Sequence, residues 1–592
     1  MCGITGAIWT DPKLGVDAPT LQRMTDSLRH RGPDGEGSYI AALYHASPNA
    51  LYPGVALGHR RLAIIDVAGG QQPISNEDES IWLTFNGEIY NYRDLHHRLE
   101  GSGHRFKTAS DTETIVHLYE DEGADCFRSL NGMFALAIYD APRRRLVLAR
   151  DRFGKKPLYY RAEPGRLAFA SEIKSLLHLP GAEWEVDPAA IDAYLTYQYI
   201  PPPLSIYKQV RKLPPGSVLT WCDDRIEIQR YWTPDWSQES AISRQAALET
   251  LRDLLKSSVE LRLQSEVPLG AFLSGGVDSS LICAIAQSLM ERPLKTFSIG
   301  FDEREFDESE HAERVAKFIG SEHHAFHVRA EAVEMLPQLV EAYDEPFADS
   351  SAIPTWSLSK LTRSEVTVAL SGDGGDELFL GYERYRAVEL GRWLDRAPIV
   401  KRLLASPLWQ SLPSRSRQRS LVRRFKRFSE SLRKSPCDRY LEWVCIFKES
   451  ERAALYRDDF LAELPRRDPG DFLRTAWAAS GRRDPMAAAA NADLQTYLPC
   501  DLMTKVDIAS MAHGLEVRSP MLDYRLVELA ASLPVGLKFR GGRGKRILRD
   551  AFGERIPATV WTRPKMGFGV PIAGWFRGQL NPMLHDLLLA PG

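Results

Sequence analysis

Apolar positions in the first 150 residues come in short runs, several of them alternating, at Ile4 to Ile8, Leu57 to Ile65, Ser80 to Phe85, Ala135 to Tyr139 and Arg145 to Ala149. That pattern predicts strands. Polar, glycine-bearing stretches separate them and are expected as loops: His30-Arg-Gly-Pro-Asp34, His59-Arg-Arg-Leu-Ala-Ile-Ile-Asp66, Asn86-Gly-Glu-Ile-Tyr-Asn91 and Ser110-Asp-Thr-Glu113. The rhythm changes past two proline-rich connectors, Tyr199 to Ser205 and Leu213 to Ser217, and the segment Tyr231-Trp-Thr-Pro-Asp-Trp236. From about Ile242, helical spacing runs through Leu251, Leu254, Leu255 and Val259. Strands and helices then alternate: strand Gly270–Leu273, helix 279–290, strand Leu294–Gly300, helix about 308–319, strand His323–Val328, helix about 331–342 and strand Thr367–Leu370. This βαβ alternation predicts an α/β parallel sheet covered by helices. Two domains follow, over residues 2–215 and 240–592.

Two glycine turns in the second half carry candidate chemistry. The apolar run Leu269–Leu273 breaks at Ser274-Gly275-Gly276, then restarts as a helix with Ser279 and Ser280 in its first turn. A strand, a glycine turn and a helix N-terminus present backbone N–H groups and the positive end of a helix dipole to an anion, and the hydroxyls add donors. No lysine follows the glycines, so this is not a Walker A loop. Asp278 supplies a carboxylate instead, which suggests Mg2+ bridging to phosphates. The second turn, Ser371-Gly-Asp-Gly-Gly-Asp-Glu377, also follows a strand. Loops at the carboxyl ends of strands form the crevice of an open α/β sheet, so Asp278, Asp373 and Asp376 are expected around one Mg2+–pyrophosphate, with Asp278 and Asp376 as metal ligands.

Composition narrows the classes. With 592 residues, 44% hydrophobic, 26% charged and a net charge of −3, nothing calls for nucleic acid or a membrane, and no apolar stretch approaches a spanning helix. The N-terminus lacks the features of a signal peptide. The 7 cysteines show no CxxC spacing and argue for reduced thiols in a cytoplasm. Cys2 directly follows Met1 and precedes Gly3, a favourable context for removing the initiator methionine. Removal leaves a thiol and a free amine on one residue, and the amine can serve as general base for that thiol.

Cys2, the four polar stretches, Asn131-Gly-Met-Phe-Ala135 and Arg150-Asp-Arg-Phe-Gly154 together resemble the class II glutamine amidotransferases, over roughly residues 2–190. The run Ser274-Gly-Gly-Val-Asp-Ser-Ser280 is similar to the pyrophosphate loop of the N-type ATP pyrophosphatases. Further matching segments are Tyr497–Asp507, Ser510–Asp523 and Arg563–Pro571. With both halves present, the chain resembles the glutamine-hydrolysing asparagine synthetase family over essentially its whole length.

The resemblance implies a four-layer αββα N-terminal-nucleophile fold of α+β class, followed by a parallel sheet of the adenine nucleotide α-hydrolase type with a helical C-terminal part. It implies Cys2 as nucleophile and Asn86 with the Gly87 N–H as oxyanion hole. Arg61, with backbone groups of Leu62, Ala63, Ile64 and Ile65, falls at the position that binds the glutamine carboxylate, and Glu88 and Asp111 at the positions that bind its ammonium. ATP contacts fall at Leu273, Ile299, Ser371 and Gly372, the acid tied to adenylate formation at Asp373, and a charge-neutralising lysine at Lys565. The implied reaction converts aspartate, glutamine, ATP and water to asparagine, glutamate, AMP and diphosphate through an acyl-AMP, with ammonia crossing a hidden passage between the sites. A homodimer is also implied.

One departure bears on the acceptor. Asp349 stands where better-known relatives carry an arginine that contacts aspartate, so either another arginine takes that role or the acceptor is a different carboxylate, such as a uronic acid in surface polysaccharide assembly. The basic segment from Arg415 to Lys434 is expected as an amphipathic helix with a solvated face, the Ala-rich stretch 475–492 as helix, and His323-His324 as strand-end surface.

Overall fold

The computed structural model of the chain describes residues 1–43, 53–301, 307–328, 332–411, 421–481, 483–563, 567, 569–570, 572–578 and 580–589. The strands of the first half are β1 (Gly3–Trp9), β2 (Gly35–Ala42), β3 (Gly54–Arg61), β4 (Ile74–Ser75), β5 (Ile81–Ile89), β6 (Gly132–Asp140), β7 (Arg145–Arg150), β8 (Tyr159–Glu163), β9 (Arg166–Ala170), β10 (Val210–Lys212), β11 (Ser217–Cys222) and β12 (Arg225–Arg230). They form two six-stranded antiparallel sheets, ordered β10-β8-β9-β1-β3-β2 and β12-β11-β7-β6-β5-β4. The second sheet continues past residue 215 to Arg230.

Because side chains alternate along a strand, each sheet buries both faces. Ile4, Ile8 and Leu57 of one sheet meet Ala137, Leu148 and Trp221 of the other in the central core. The outer face of the first sheet packs on α1 (Ala18–Asp26) through Leu21 and Met24. The outer face of the second packs on α2 (Tyr92–Gly101) and α3 (Asp111–Glu122) through Leu95, Leu99 and Ile115. The layers are therefore αββα, as expected.

Two boundaries differ from the sequence reading. Asn86 to Ile89, expected as loop, continue β5 and pair in register with β6, Asn86 opposite Ala135 and Glu88 opposite Met133. Polar residues hide the strand there because the site lies inside the sandwich. Conversely β3 ends at Arg61, and Leu62 to Ile65 leave the sheet.

The second half holds a five-stranded parallel sheet, ordered β15-β14-β13-β16-β17, made of β13 (Leu269–Phe272), β14 (Lys295–Phe301), β15 (Glu322–Val328), β16 (Val368–Leu370) and β17 (Glu516–Arg518). Helix α4 (Arg244–Arg262) and helix α5 (Val277–Leu289) cover one face through Leu251, Leu255 and Leu281. Helix α6 (Ala352–Arg363) and the helix Met503–Met511 cover the other through Ile353, Trp356 and Ile508. Cover on both faces explains the near-continuous apolar strands. The chain order reverses at β13, whose register pairs Leu269 with Val368 and Ala271 with Leu370 of β16. The two glycine loops thus leave adjacent strands at the topological switch point, where such sheets bind ligands.

The Ala-rich stretch divides into helices Asp471–Ala478 and Pro485–Gln495. Basic residues Arg424 and Lys426 lie on the helix Leu421–Ser431, while Arg415, Arg417 and Arg419 are outside the described residues. His323, expected at the surface, is partly buried within β15, its ring nitrogens 3.0 Å from Thr296 Oγ1 and 3.1 Å from Ser298 Oγ. Its neighbours are hydroxyls, so it serves as a strand hydrogen-bonding residue. No helix among the described residues is long and apolar enough to cross a membrane.

Candidate active site

The first cluster forms where β1, β3 and β5 meet the second domain. Cys2 immediately precedes β1 and is buried, and its backbone N–H donates to Asn86 Oδ1 at 3.0 Å. Burial pushes the Cys2 thiol up, opposed by the Met1 ammonium, the Leu62 N–H and the Arg61 charge. Asn86 is fully buried, and its Nδ2 has no hydrogen-bond partner. A buried donor left unpaired costs about 1–3 kcal/mol; here it belongs to β5 of the sheet opposite the one that Cys2 leads into, and the same side chain holds the Cys2 N–H through Oδ1, which leaves Nδ2 open to an oxygen. At Gly87 a Cβ would collide with Met133 O and the Phe134 backbone of β6, so only glycine passes.

Arg61 donates to the carbonyls of Asp66 at 2.6 Å and Val67 at 3.0 Å, which shapes the 62–67 loop around its guanidinium. Ala63 N–H is held by Asp34 Oδ2 at 2.9 Å. Asp111, first residue of α3, accepts from Ile89 N–H at 2.8 Å, and burial raises its carboxyl to about 6. Glu88 is raised well above its usual range by burial and by Asp111, and its Oε1 lacks a partner. Its Oε2 accepts from Arg518 Nη2 at 3.0 Å.

Met1 is also part of this arrangement. Its ammonium lies 3.1 Å from Glu516 Oε2, and its side chain packs with Leu62, Ile64, Tyr90, Met133, Val368 and Met511, an apolar cluster drawn from both domains. Polar contacts surround that cluster. Arg31 donates to Cys2 O at 3.2 Å, Glu172 at 2.8 Å and Asp507 at 2.7 Å; Lys156 reaches Asp507 at 2.8 Å; Asn131 donates to Asp523 at 3.0 Å.

The second cluster is a cavity of about 1030 Å3 at the sheet's switch point. Leu273, Ser274, Gly275, Gly276, Asp278, Ser279, Ile299, Ser371, Gly372, Asp373 and Asp376 all line it. Ser280 does not: it is fully buried on the packed face of α5, because a helix turns successive residues to different sides. Gly275 has φ +71, and a Cβ there would press on the His311 backbone, so the turn depends on glycine. Lys565 lies outside the described residues.

Lys545 was not singled out from the sequence. Its Nζ sits 2.5 Å from Asp278 Oδ2 and 2.5 Å from Asp376 Oδ1. Two carboxylates from different loops converge on one cationic point, the donor set a hard divalent ion requires. Lys545 ends a glycine-bearing turn, Arg540 to Gly544, and no regular spacing betrays it. Farther along the wall, Lys505 Nζ lies 2.8 Å from Asp349 Oδ2 and 2.6 Å from Ser351 Oγ. The lysine charge holds Asp349 well below the usual carboxylate range, although burial alone would raise it. Arg386, Arg540 and Arg543 line the same cavity.

Comparison with known proteins follows the same division. A family model described as asparagine synthase matches residues 250–591, and one described as a glutamine amidotransferase domain matches residues 1–232. The chain is 34% identical over 592 residues to glutamine-hydrolyzing asparagine synthetase 1 of Bacillus subtilis, covering 99% of this chain and 90% of that one. It is 31% identical over 618 residues to glutamine-hydrolyzing asparagine synthetase 3 of the same organism, covering 99% and 92%. It is also 27% identical over 651 residues to an amidase of Gibberella zeae, covering 99% and 92%.

Proposed function

This chain belongs to the asparagine synthase family and is a glutamine-dependent ligase with ATP-dependent amidotransferase chemistry; we propose that it makes L-asparagine from L-aspartate, with glutamate, AMP and diphosphate as the other products. The observation that carries this reading is the Lys505–Asp349 pair on the cavity wall. Aspartate is a zwitterion at its α-carbon. Lys505 offers a cation for its α-carboxylate, and Asp349 an anion for its α-ammonium, which leaves the β-carboxylate free to reach ATP. A lysine from the helix Met503–Met511 thereby supplies the charge that an arginine at position 349 would have brought.

In the first domain, loss of Met1 frees the Cys2 amine to take the thiol proton. The thiolate attacks the glutamine amide carbon, and the oxyanion is met by Asn86 Nδ2 and the Gly87 N–H. Collapse expels ammonia and leaves a glutamyl thioester, which water hydrolyses to glutamate. Arg61 and the 62–65 backbone hold the glutamine carboxylate; Glu88 and Asp111 hold its ammonium.

In the second, the β-carboxylate attacks the α-phosphorus of ATP and diphosphate leaves. Backbone N–H groups of the Ser274–Ser279 loop and the N-terminus of α5 cradle the phosphates. Asp278 and Asp376 would hold Mg2+, which when bound offsets the phosphate charge. Lys545 and Lys565 add positive charge, and Asp373 faces the reacting centre. Ammonia then displaces AMP from the acyl-adenylate. Departure of Met1 vacates apolar space between Cys2 and Val368, the strand that leads into Ser371, and this is the route we assign to ammonia.

A uronic acid is the second reading, favoured by the size of the cavity and by Arg386, Arg540 and Arg543 on its wall. Pyrophosphate release from ATP and glutamine, measured with a panel of carboxylic acids, separates the two. Stimulation by aspartate, lost in Lys505→Met, is expected; stimulation by uronic acids and none by aspartate would overturn the aspartate assignment.

A further inference from the structure

Outside the two clusters above, four side chains on the outer layer of the amidotransferase domain converge on one point. His117 and Glu120 lie one turn apart on α3, so they share a face. Glu77 comes from the turn between β4 and β5, and His104 from the segment between α2 and α3. Their ligand atoms lie within 4.8 Å of one another.

His117 is fully buried, and neither ring nitrogen has a hydrogen-bond partner. Its Nδ1 stands 3.6 Å from Glu77 Oε2 and 3.6 Å from Glu120 Oε2, while His104 Nδ1 stands 3.7 Å from Glu120 Oε2. These separations are long for hydrogen bonds. They are close to the edge of a tetrahedron whose centre lies at zinc–ligand distance, about 3.3–3.6 Å for bonds of roughly 2.0–2.2 Å.

The remaining atom of each residue is turned to another partner. Glu77 Oε1 accepts from Arg105 N–H at 2.9 Å, and Glu120 Oε1 from Asn76 Nδ2 at 3.2 Å. His104 Nε2 is 3.0 Å from Asp121 Oδ1, and His117 Nε2 faces Glu113 Oε1 at 3.6 Å. Asp121 behind His104 Nε2 is the outer-shell arrangement that fixes tautomer and aim in metal sites, and Glu113 lies on the corresponding side of His117.

We propose that Glu77, His104, His117 and Glu120 form a four-ligand site for a divalent metal of the zinc class, built to fix the glutamine end of the molecule. Two imidazoles and two carboxylates are a donor set for zinc, and four protein ligands leave no open position for substrate, which makes the site structural. The metal ties two separate segments to α3, the helix whose first residue is Asp111. A second grouping, His96, His97 and Glu100, lies on an exposed helix face and has no buried ligand.

The test uses the full-length chain, stripped with chelator and dialysed against buffered Zn2+. One zinc per chain is expected by elemental analysis, together with a rise of several degrees in the unfolding midpoint and, after Co2+ substitution, the visible bands of a tetrahedral centre. His104→Gln with Glu120→Gln, both partly exposed positions, should lower zinc affinity at least 100-fold while the stripped variant keeps the midpoint of the stripped parent. Failure of the parent chain to take up zinc at micromolar concentration, or full retention of zinc by the double variant, would overturn the proposal.

Discussion

Arg518 of the synthetase domain donates from Nη2 to Glu88 Oε2 of the amidotransferase domain at 3.0 Å, and from Nε to Glu516 Oε1 at 2.5 Å. Arg518 ends β17, and its carbonyl accepts from Ser371 N–H at 2.8 Å, the residue that opens the second glycine loop. One buried residue therefore touches both the glutamine end and the ATP end of the molecule. Removing it leaves Glu88 buried without its cation and Glu516 with only the Met1 ammonium, at a cost of about 3–5 kcal/mol. Arg518→Met combined with Glu516→Gln limits that loss. In this pair kcat/KM for glutamine should fall at least tenfold, with a smaller loss when ammonium salts replace glutamine; equal losses would show that Arg518 does no more than hold the fold.

Cys2→Ala should abolish glutamine-dependent synthesis and leave ammonia-dependent synthesis intact. The same separation is expected in a chain that retains Met1, because its ammonium is engaged by Glu516 and the Cys2 nitrogen remains an amide. Mass spectrometry of the N-terminus beside a glutaminase assay checks this. A Met1-bearing chain with full glutaminase activity would rule out the amine as base.

Glutamine affinity should depend on pH through Asp111. Its folded value of about 6 lies above the ordinary 3.8, so the native protein keeps this proton where the unfolded chain has lost it. The stability it contributes is therefore present below about 4 and is lost as pH rises through 6. Binding of the glutamine ammonium runs the other way, since it needs the carboxylate. KM for glutamine should climb as pH falls through 6, by up to tenfold per unit, and Asp111→Asn should remove that step. A KM that stays flat from pH 5 to 7.5 would sink the assignment.

Lys545 should matter to the adenylation half alone. Lys545→Met leaves Asp278 and Asp376 facing each other without their shared cation, and pyrophosphate release should fall roughly 100-fold while glutaminase turnover is kept. Excess Mg2+ should recover part of the loss, because the two carboxylates converge on one point. Unchanged pyrophosphate release would show that the lysine only balances the charge of the two carboxylates.

Periodicity placed four strands of the parallel sheet and helices between them, because burial on both faces leaves apolar runs; it did not single out β17, α6 or the helix Met503–Met511. It misassigned Asn86–Ile89 because an interior strand that carries the site must break the apolar alternation. The glycine loops and Cys2 were legible because turn geometry and the nucleophile each demand particular residues at particular spacings. Lys545, Lys505, Glu516 and the His104–His117 grouping were not, since each takes its meaning from a partner distant in the chain. Sequence alone determined which chemistries the two halves carry. Only tertiary structure decided which cation stands against Asp349 and which arginine spans the two sites, because electrostatic partners are chosen by distance in space.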